Sequence, residues 1–152
     1  MRAEDIDVRD VAHSLSLQCR FGGACLRFYC VAEHCVRASY LVESWGGTPI
    51  EVLAANDHDG SEYVCVDVPR PFKRNLAGYA EIEAGVVAAV EEWAGLPPGA
   101  CSSAIVKRAD EVMLTTERRD HMAPPPAAWG IAQDIAHEPL RWRLDVWTLR
   151  GF

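Results

Sequence analysis

Apolar residues recur at helical spacing along nearly the whole of this chain. In the first segment Val8, Val11, Ala12 and Leu15 fall on one helical face, behind an acidic start that suits a helix N-terminus. The alternation of apolar and polar residues that is typical of half-buried strands is not sustained over several segments. The pattern therefore predicts an all-α fold, a single bundle of about five to seven helices.

Glycine and proline residues separate the predicted helices, beginning with Gly22-Gly23 after the first one. The later helices are predicted over about residues 29–44, 48–57, 79–94 and 100–122. Thr48 is a favourable N-cap, and Pro49 suits a first helical turn. Prolines on both sides of Arg70 exclude residues 68–73 from a helix interior.

An apolar stripe on the helix predicted over residues 79–94 indicates its buried face. The residues of this stripe are Ile82, Val86, Val90 and Trp93. The glutamates expected beside the stripe or facing water are Glu81, Glu83, Glu91 and Glu92. This helix is therefore predicted to pack along one side.

Length and charge limit the kind of protein this chain can be. With 152 residues it is long enough for one domain with its own core, predicted over residues 1–152. A net charge of −7 argues against binding to a nucleic-acid polymer. A small anionic ligand is compatible with this charge, because a local cationic pocket can override the global sign. A phosphate-bearing substrate would therefore need a concentrated positive site, such as a metal ion.

The expected environment of the chain is the cytoplasm, without a membrane partner. Residues 1–10 are mostly charged and no apolar segment of signal-peptide type follows them. No apolar run approaches the 18 residues of a membrane-spanning helix. The six cysteines form no C-x-x-C pair. We therefore expect reduced thiols that act as small buried hydrophobic residues.

Three polar features interrupt the apolar pattern. His34 shares the apolar face of its helix and, taken alone, fits a core histidine better than a ligand. The run Asp57-His58-Asp59 follows an apolar helix and, taken alone, fits a surface exit equally well. Asp110 lies on the apolar stripe of the last helix. A buried carboxylate must be paired, protonated or metal-bound, since burying it unpaired costs several kcal/mol or more.

Together these features predict a metal site. Three separate helices direct imidazole and carboxylate groups inward, from His34, from His58 with Asp59, and from Asp110. Mixed nitrogen and oxygen donors suit a divalent first-row metal, and such a set leaves coordination positions open for water and a phosphate oxygen. We expect one divalent transition metal, Co²⁺, Mn²⁺ or Zn²⁺, with Mg²⁺ also possible.

The same residues stand within an ordered set of short sequence blocks. The blocks are Asp10-Val-Ala-His-Ser-Leu-Ser16, Cys19-Arg-Phe-Gly-Gly23, Tyr29-Cys-Val-Ala-Glu-His34, His58-Asp-Gly-Ser-Glu62, Asp67-Val-Pro-Arg-Pro-Phe-Lys73, Val106-Lys-Arg-Ala-Asp110 and Thr116-Glu-Arg-Arg119. This order resembles the HD-domain phosphohydrolases, and the flanking residues are similar to their 5′-deoxynucleotidase branch. That branch has bacterial and phage members, so a phage-encoded chain would be expected in the host cytoplasm. The resemblance covers residues 5–122, and residues 123–152, with Trp142 and Trp147, are expected to pack on this domain as a tail.

The resemblance implies roles for individual residues. The metal ligands it implies are His34, His58, Asp59 and Asp110, and the block that follows the pair aligns with Asp59 rather than Asp57. It also makes Glu62 and Asp67 the catalytic carboxyls, without deciding which one donates a proton and which accepts it.

Substrate contacts are expected from four further residues. Arg20, Arg70 and Lys73 would balance phosphate charge, and arginine suits bidentate phosphate contact. Without the resemblance, Arg70 and Lys73 fit a solvated surface equally well. Phe21 fits either a contact with the sugar or base, or a plain core position. No ligand or catalytic role is expected for the remaining histidines, which are His13, His121 and His137. The last two are expected at the surface.

The implied activity is hydrolysis of the 5′-phosphate of deoxynucleoside monophosphates by a homo-oligomer. A close alternative releases triphosphate from deoxynucleoside triphosphates at the same metal site. An alternative of another class is a non-catalytic nucleotide-binding protein that keeps the HD fold. Retention of the four ligands together with Glu62 and Asp67 favours the enzyme.

Overall fold

The computed structural model describes residues 1–124, 138–141 and 143–144, and the regular elements in these residues are all helical. The α-helices are α1 (Val8–Leu17), α2 (Val31–Ser44), α3 (Pro49–Asp57), α4 (Glu62–Cys65), α5 (Arg70–Lys73), α6 (Tyr79–Trp93) and α7 (Ala104–His121). Short 3₁₀ turns cover Ala3–Asp5, Arg20–Gly23 and Ala100–Ser102. The predicted all-α bundle of five to seven helices is confirmed.

Local sequence signals explain where α3 begins. Thr48 Oγ1 accepts a hydrogen bond from the Glu51 amide at 3.3 Å, and Glu51 Oε2 accepts one from the Thr48 amide at 2.8 Å. This reciprocal pair satisfies two amides that the helix leaves unbonded. Pro49 occupies the first turn, where no amide donor is needed. The predicted start of α3 is therefore confirmed.

The close packing of α2 against the following turn depends on Gly47. A side chain at this position would bring its Cβ within 2.5 Å of Val42 Cγ1 and 3.0 Å of the Val42 carbonyl oxygen. Glycine therefore lets the chain turn tightly from α2 into α3. This turn sets the contact between the two helices that carry the predicted histidine ligands.

The main core lies where α2, α3 and α7 meet. Its most deeply buried members include Val42, Ala55, Val106, Ala109 and Met113. A second cluster joins Ile6 to α6, and a third joins Leu15 of α1 to α2. Because α2 packs against α1, α3 and α7, a side chain near its middle lies at the centre of the protein.

Two expectations for α6 are wrong. Val86 and Val90 are buried and Trp93 is half-buried, but Ile82 is 64% exposed because only the C-terminal part of α6 packs on the core. Glu91, expected to flank the stripe or face water, is buried. Its carboxylate accepts hydrogen bonds from the amides of Gly99 (2.8 Å) and Cys101 (3.0 Å), which fixes the turn that leads into α7.

The described part of the C-terminal tail packs on α7. The Leu140 amide donates to Thr116 Oγ1 at 3.0 Å, and the Leu144 amide donates to Asp120 Oδ2 at 2.8 Å. The Leu144 side chain is buried in the main core. His137, Trp142 and Trp147 lie outside the described residues.

The six cysteines are free thiols, all within the described part of the chain. Cys35 and Cys101 are buried, and the other four are half-buried rather than fully enclosed. None of the described helices is both long enough and apolar enough to cross a membrane.

Candidate metal centre

His34 lies at the middle of the bundle, fully buried in the first half of α2. Its Nδ1 is 2.6 Å from Glu117 Oε1 on α7. A carboxylate only accepts hydrogen bonds, so Nδ1 carries the hydrogen and donates it. In the neutral imidazole the free lone pair is therefore on Nε2, which points away from Glu117 towards His58.

His58 follows the last residue of α3, and its ring is fixed in the same way. Its Nδ1 donates to the backbone carbonyl oxygen of Ala55 at 2.7 Å. The Nε2 atoms of His58 and His34 are 3.2 Å apart. Two lone pairs that face each other at this distance repel, unless a proton or a cation lies between them. The two rings are thus arranged as neighbouring ligands of one ion.

Two carboxylates complete the arrangement. His34 Nε2 lies 3.6 Å from Asp59 Oδ2 and 3.4 Å from Asp110 Oδ1. His58 Nε2 lies 3.5 Å from Asp59 Oδ1 and 3.9 Å from Asp110 Oδ1. Metal–ligand bonds of about 2.1 Å place adjacent ligands of one ion roughly 3.0–3.4 Å apart. His34, His58 and Asp59 form a group that could hold a metal ion, and Asp110 adjoins it.

The electrostatics of this cluster favour a positive charge at its centre. Burial lowers the pKa of His58, but the carboxylates of Asp59 and Asp110 outweigh it and raise that pKa to about 9. The pKa of His34 is also raised: burial and Arg20 oppose the increase, and Glu117 and Asp110 outweigh them. For Asp110, burial is outweighed by the two histidines, which hold its pKa well below the usual range. Bound protons or a cation would satisfy the same demand.

Sequence reasoning missed Glu117, which organises the inner side of the centre. It is fully buried and accepts hydrogen bonds from His34, from the Tyr29 hydroxyl at 2.8 Å and from Arg20 Nε at 3.2 Å. Burial raises its pKa, but His34 and Arg20 outweigh this and bring the pKa to about 2. The available signal was spacing: Glu117 lies seven residues after Asp110, on the same face of α7.

Arg20 is part of the centre rather than a free phosphate contact. Its side chain is buried, and Nη1 donates to Asp59 Oδ2 at 3.0 Å while Nε donates to Glu117. The guanidinium also lies 5.5 Å from the centre of the Phe21 ring. Arg20 still lines the adjacent cavity. Its guanidinium therefore faces the cavity while it is bonded to two carboxylates.

A cavity of about 780 Å³ opens beside the cluster, a volume suited to a small molecule. Its lining includes all the residues predicted to act on or contact substrate: Arg20, Phe21, Glu62, Asp67, Arg70 and Lys73. Asp59 and Asp110 also line it, so the carboxylates of the cluster form part of its wall. Arg74, which the sequence did not single out, adds a further cation.

The two predicted catalytic carboxyls lie differently in this cavity. Glu62 begins α4, its amide bonds to the Asp59 carbonyl, and its buried Oε2 has no hydrogen-bond partner among the described residues. Burial, Asp59 and Asp67 raise the pKa of Glu62 to about 9. Asp67 is half-buried, and its Oδ2 accepts a hydrogen bond from the Phe21 amide at 3.1 Å.

Arg70 and Lys73 lie on α5, and both line the cavity. Arg70 Nη2 donates to Asp110 Oδ2 at 2.8 Å, which leaves Asp110 Oδ1 facing the histidines. Lys73 Nζ donates to Glu83 Oε1 of α6 at 2.6 Å. Each predicted phosphate contact therefore has a carboxylate partner within the protein.

The expectation that His121 lies at the surface is wrong. His121 is buried, and its ring packs on Tyr29 with the ring centres 4.4 Å apart. The cause is the loop before α2, which returns to the end of α7, where the Leu26 amide donates to the His121 carbonyl. His13 is exposed on α1, and no functional role was expected for it.

Comparison with known proteins gives two relatives. No protein-family model matches the chain. YfdR of Escherichia coli strain K12 is 41% identical over 133 residues, which cover 87% of this chain and 70% of that protein. A protein of Rhodobacter capsulatus is 34% identical over 126 residues, which cover 76% of this chain and 60% of that protein. Both carry the description "uncharacterized protein", so neither attributes an activity.

Proposed function

We propose that this chain, which belongs to the same family as YfdR of Escherichia coli, is a metal-dependent phosphohydrolase of deoxynucleoside monophosphates. The observation that carries the proposal is the convergence of two imidazole Nε2 atoms with two carboxylates that both line the cavity. The resemblance to the HD-domain phosphohydrolases supports the same reading. It also implies a cytoplasmic homo-oligomer, which remains a prediction.

The donor set fits a divalent metal ion. His34, His58, Asp59 and Asp110 would hold it, and their two nitrogens and two carboxylates suit Co²⁺, Mn²⁺ or Zn²⁺, with Mg²⁺ also possible. Such an ion supplies Lewis acidity, which polarises a phosphoryl oxygen and lowers the pKa of water. Glu117 and the Ala55 carbonyl oxygen hold the two rings in the tautomer that metal binding requires.

Proton transfer falls to Glu62 and Asp67. Both face the cavity, and neither is a member of the ligand cluster. Hydrolysis of a phosphate ester needs one group to accept a proton from the attacking water and one to deliver a proton to the leaving oxygen. Two carboxyls that line the same cavity supply both functions, and Glu62→Gln and Asp67→Asn separate the two roles in a pH–rate profile.

Another part of the cavity lining, the cationic wall, is suited to a phosphate group. Arg70, Lys73 and Arg74 present three cations from α5 and the residue after it. One Arg70 nitrogen is engaged with Asp110, so its remaining donors can face an anion. This local charge reconciles an anionic substrate with the net charge of −7. Phe21 and Leu114 give the cavity an apolar side for a sugar or base.

The direct test is product identification. Purified protein is incubated with deoxynucleoside mono- and triphosphates and with Mn²⁺, Co²⁺, Zn²⁺ or Mg²⁺, and released anions are separated by ion chromatography. We expect orthophosphate from the monophosphates, and its loss in Asp110→Asn. The exposed His13→Gln is the control that retains activity. Release of triphosphate would instead support the triphosphohydrolase, and no release from any nucleotide would refute both enzymes.

A further inference from the structure

Within the described residues, positive φ outside glycine occurs at Phe21 (φ 56°) and Val66 (φ 57°). Phe21 lines the cavity, and Val66 directly precedes Asp67, which also lines it. A β-branched residue rarely adopts such a φ, because its Cβ crowds the backbone. Val66 also has ψ 159°, a combination that mainly glycine adopts. Contacts elsewhere must therefore hold this turn in place.

The Tyr79 hydroxyl donates to the carbonyl oxygens of Cys65 at 3.2 Å and Val66 at 3.4 Å, and the Gln18 side chain makes the contacts on either side of them. Its Nε2 donates to the Glu62 carbonyl oxygen at 3.0 Å and to Ser14 Oγ at 3.0 Å. Its Oε1 accepts from the Asp67 amide at 3.2 Å. One amide group thus bonds both ends of the segment from Glu62 to Asp67, with the strained Val66 between them.

Gln18 is itself held firmly and is linked to the second strained residue. It follows α1 directly, and its carbonyl oxygen accepts from the Val31 amide of α2 at 3.0 Å. Asp67, which Gln18 bonds through the backbone, accepts the Phe21 amide with its carboxylate. Side-chain hydrogen bonds therefore connect the segment of residues 18–21 with the segment of residues 62–67.

We propose that Gln18 is a positioning residue that keeps the Val66 turn strained and thereby directs Asp67 and Glu62 into the cavity. This inference rests on the proposed function insofar as those two carboxyls transfer protons. Without the Gln18 amide, Val66 relaxes towards negative φ, which rotates the Asp67 backbone and separates its carboxylate from the Phe21 amide. The ligand cluster does not depend on these bonds, because its rings are fixed by Glu117 and Ala55.

The experiment compares Gln18→Met, of similar length without hydrogen-bonding groups, with Gln18→Glu, which keeps the acceptor for the Asp67 amide. Ser16→Ala is the matched control, since its hydroxyl makes a local bond to the His13 carbonyl oxygen at 2.8 Å. The measurements are kcat and KM with Mn²⁺, Mn²⁺ affinity by titration calorimetry, and hydrogen exchange of residues 62–67.

In Gln18→Met we expect kcat to fall by about 10–100-fold, the scale of a small misplacement of catalytic groups. The KM and the Mn²⁺ affinity should stay within about twofold, since neither the cationic wall nor the ligand cluster changes. Exchange at residues 62–67 should quicken. Gln18→Glu should fall between Gln18→Met and the wild type. Adding Val66→Gly to Gln18→Met should restore part of kcat, because glycine adopts this φ without strain.

Different results overturn the inference. Unchanged kcat with unchanged exchange in Gln18→Met would show that the amide positions nothing. Equal losses of kcat and Mn²⁺ affinity in both Gln18 variants would show a general structural role instead. If the wild type hydrolyses no phosphate ester, the proposed function fails. Hydrogen exchange of residues 62–67 then tests by itself whether Gln18 holds the turn. Faster exchange in Gln18→Met but not in Ser16→Ala then supports the hold on the turn, and equal exchange refutes it.

Discussion

At the scale of single residues, the buried Glu117 carboxylate sets the tautomer of the predicted ligand His34. It accepts the Nδ1 hydrogen of His34, which leaves Nε2 free to bind. It also neutralises the buried Arg20, whose other contact is Asp59. His34 and Arg20 therefore both depend on the Glu117 side chain.

Glu117→Gln should lower the affinity for Mn²⁺ or Zn²⁺ by about 10–100-fold, the usual effect of losing a charged partner of a ligating histidine. The amide still fills the space, but it places a donor beside Arg20 or His34. Titration calorimetry measures the affinity, and thermal unfolding reports any loss of fold. Glu92→Gln, at an exposed position on α6, is the control. Equal affinity in both variants would contradict the role of Glu117.

Val66→Gly should stabilise the protein. Strain at such a residue costs about 1–3 kcal/mol, and glycine adds a backbone entropy cost of about 0.5–1 kcal/mol. The expected net gain in the free energy of unfolding is about 1 kcal/mol, measured by urea denaturation. Val64→Gly, in the ordinary helical turn α4, is the matched control and should destabilise. A loss of stability in Val66→Gly would mean that the turn carries little strain.

At the scale of secondary-structure elements, the short helix α5 connects two predicted phosphate contacts to the predicted metal ligand Asp110. This single turn carries Arg70, which bonds Asp110, and Lys73, which bonds Glu83. Pro69 and Pro71 restrict the backbone at its start, so the turn needs few contacts to keep its shape.

Arg70→Ala should raise the KM for a deoxynucleoside monophosphate about tenfold or more, since a charge-assisted hydrogen bond contributes about 1.5–3 kcal/mol. Because Asp110 then loses a neighbouring positive charge, the metal affinity should stay equal or rise. Steady-state kinetics measure the first effect and calorimetry the second. Lys107→Ala, an exposed cation on α7 away from the cavity lining, should leave KM unchanged. The same KM in both variants would exclude Arg70 from phosphate binding.

The sequence predicted which elements exist better than it predicted how they are covered. Thr48-Pro49 marked the start of α3 because capping is a local property. Ile82 shares the face of Val86, but periodicity cannot tell where a neighbouring helix stops. His121 and Glu91 were misjudged for the same reason: their partners come from distant loops.

Some of the site residues could likewise be recognised from the sequence, and others could not. His34 and Asp110 drew attention because each interrupts an apolar helix face, and the run from Asp57 to Asp59 because it follows an apolar helix. The choice of Asp59 over Asp57 came from the family resemblance. For Glu117 the sequence offered only its spacing from Asp110, and for Gln18 no signal, since their roles arise from contacts across 83 and 49 positions of the chain. A polar residue that supports another is recognisable only when both positions are known.

At the scale of the whole molecule, metal should stabilise the fold. A ligand at 100 times its dissociation constant adds about 2.7 kcal/mol to the free energy of unfolding if only the native state binds it. For a chain of this size that corresponds to a rise in Tm of roughly 5–10 °C. Mn²⁺ or Co²⁺ should produce the rise in thermal denaturation, and EDTA should reverse it. Asp110→Asn should abolish the response and His13→Gln should keep it; an equal response in both would place the ion elsewhere.

The four predicted ligands lie at graded depth. His34 and His58 are 0% and 7% exposed, whereas Asp59 and Asp110 are 21% and 20% exposed. The centre thus has an inner nitrogen face and an outer oxygen face. A hydrated cation arriving from solvent would meet the carboxylate oxygens before the imidazole nitrogens. Asp59 and Asp110, bonded to Arg20 and Arg70, would therefore influence how quickly such an ion enters and leaves.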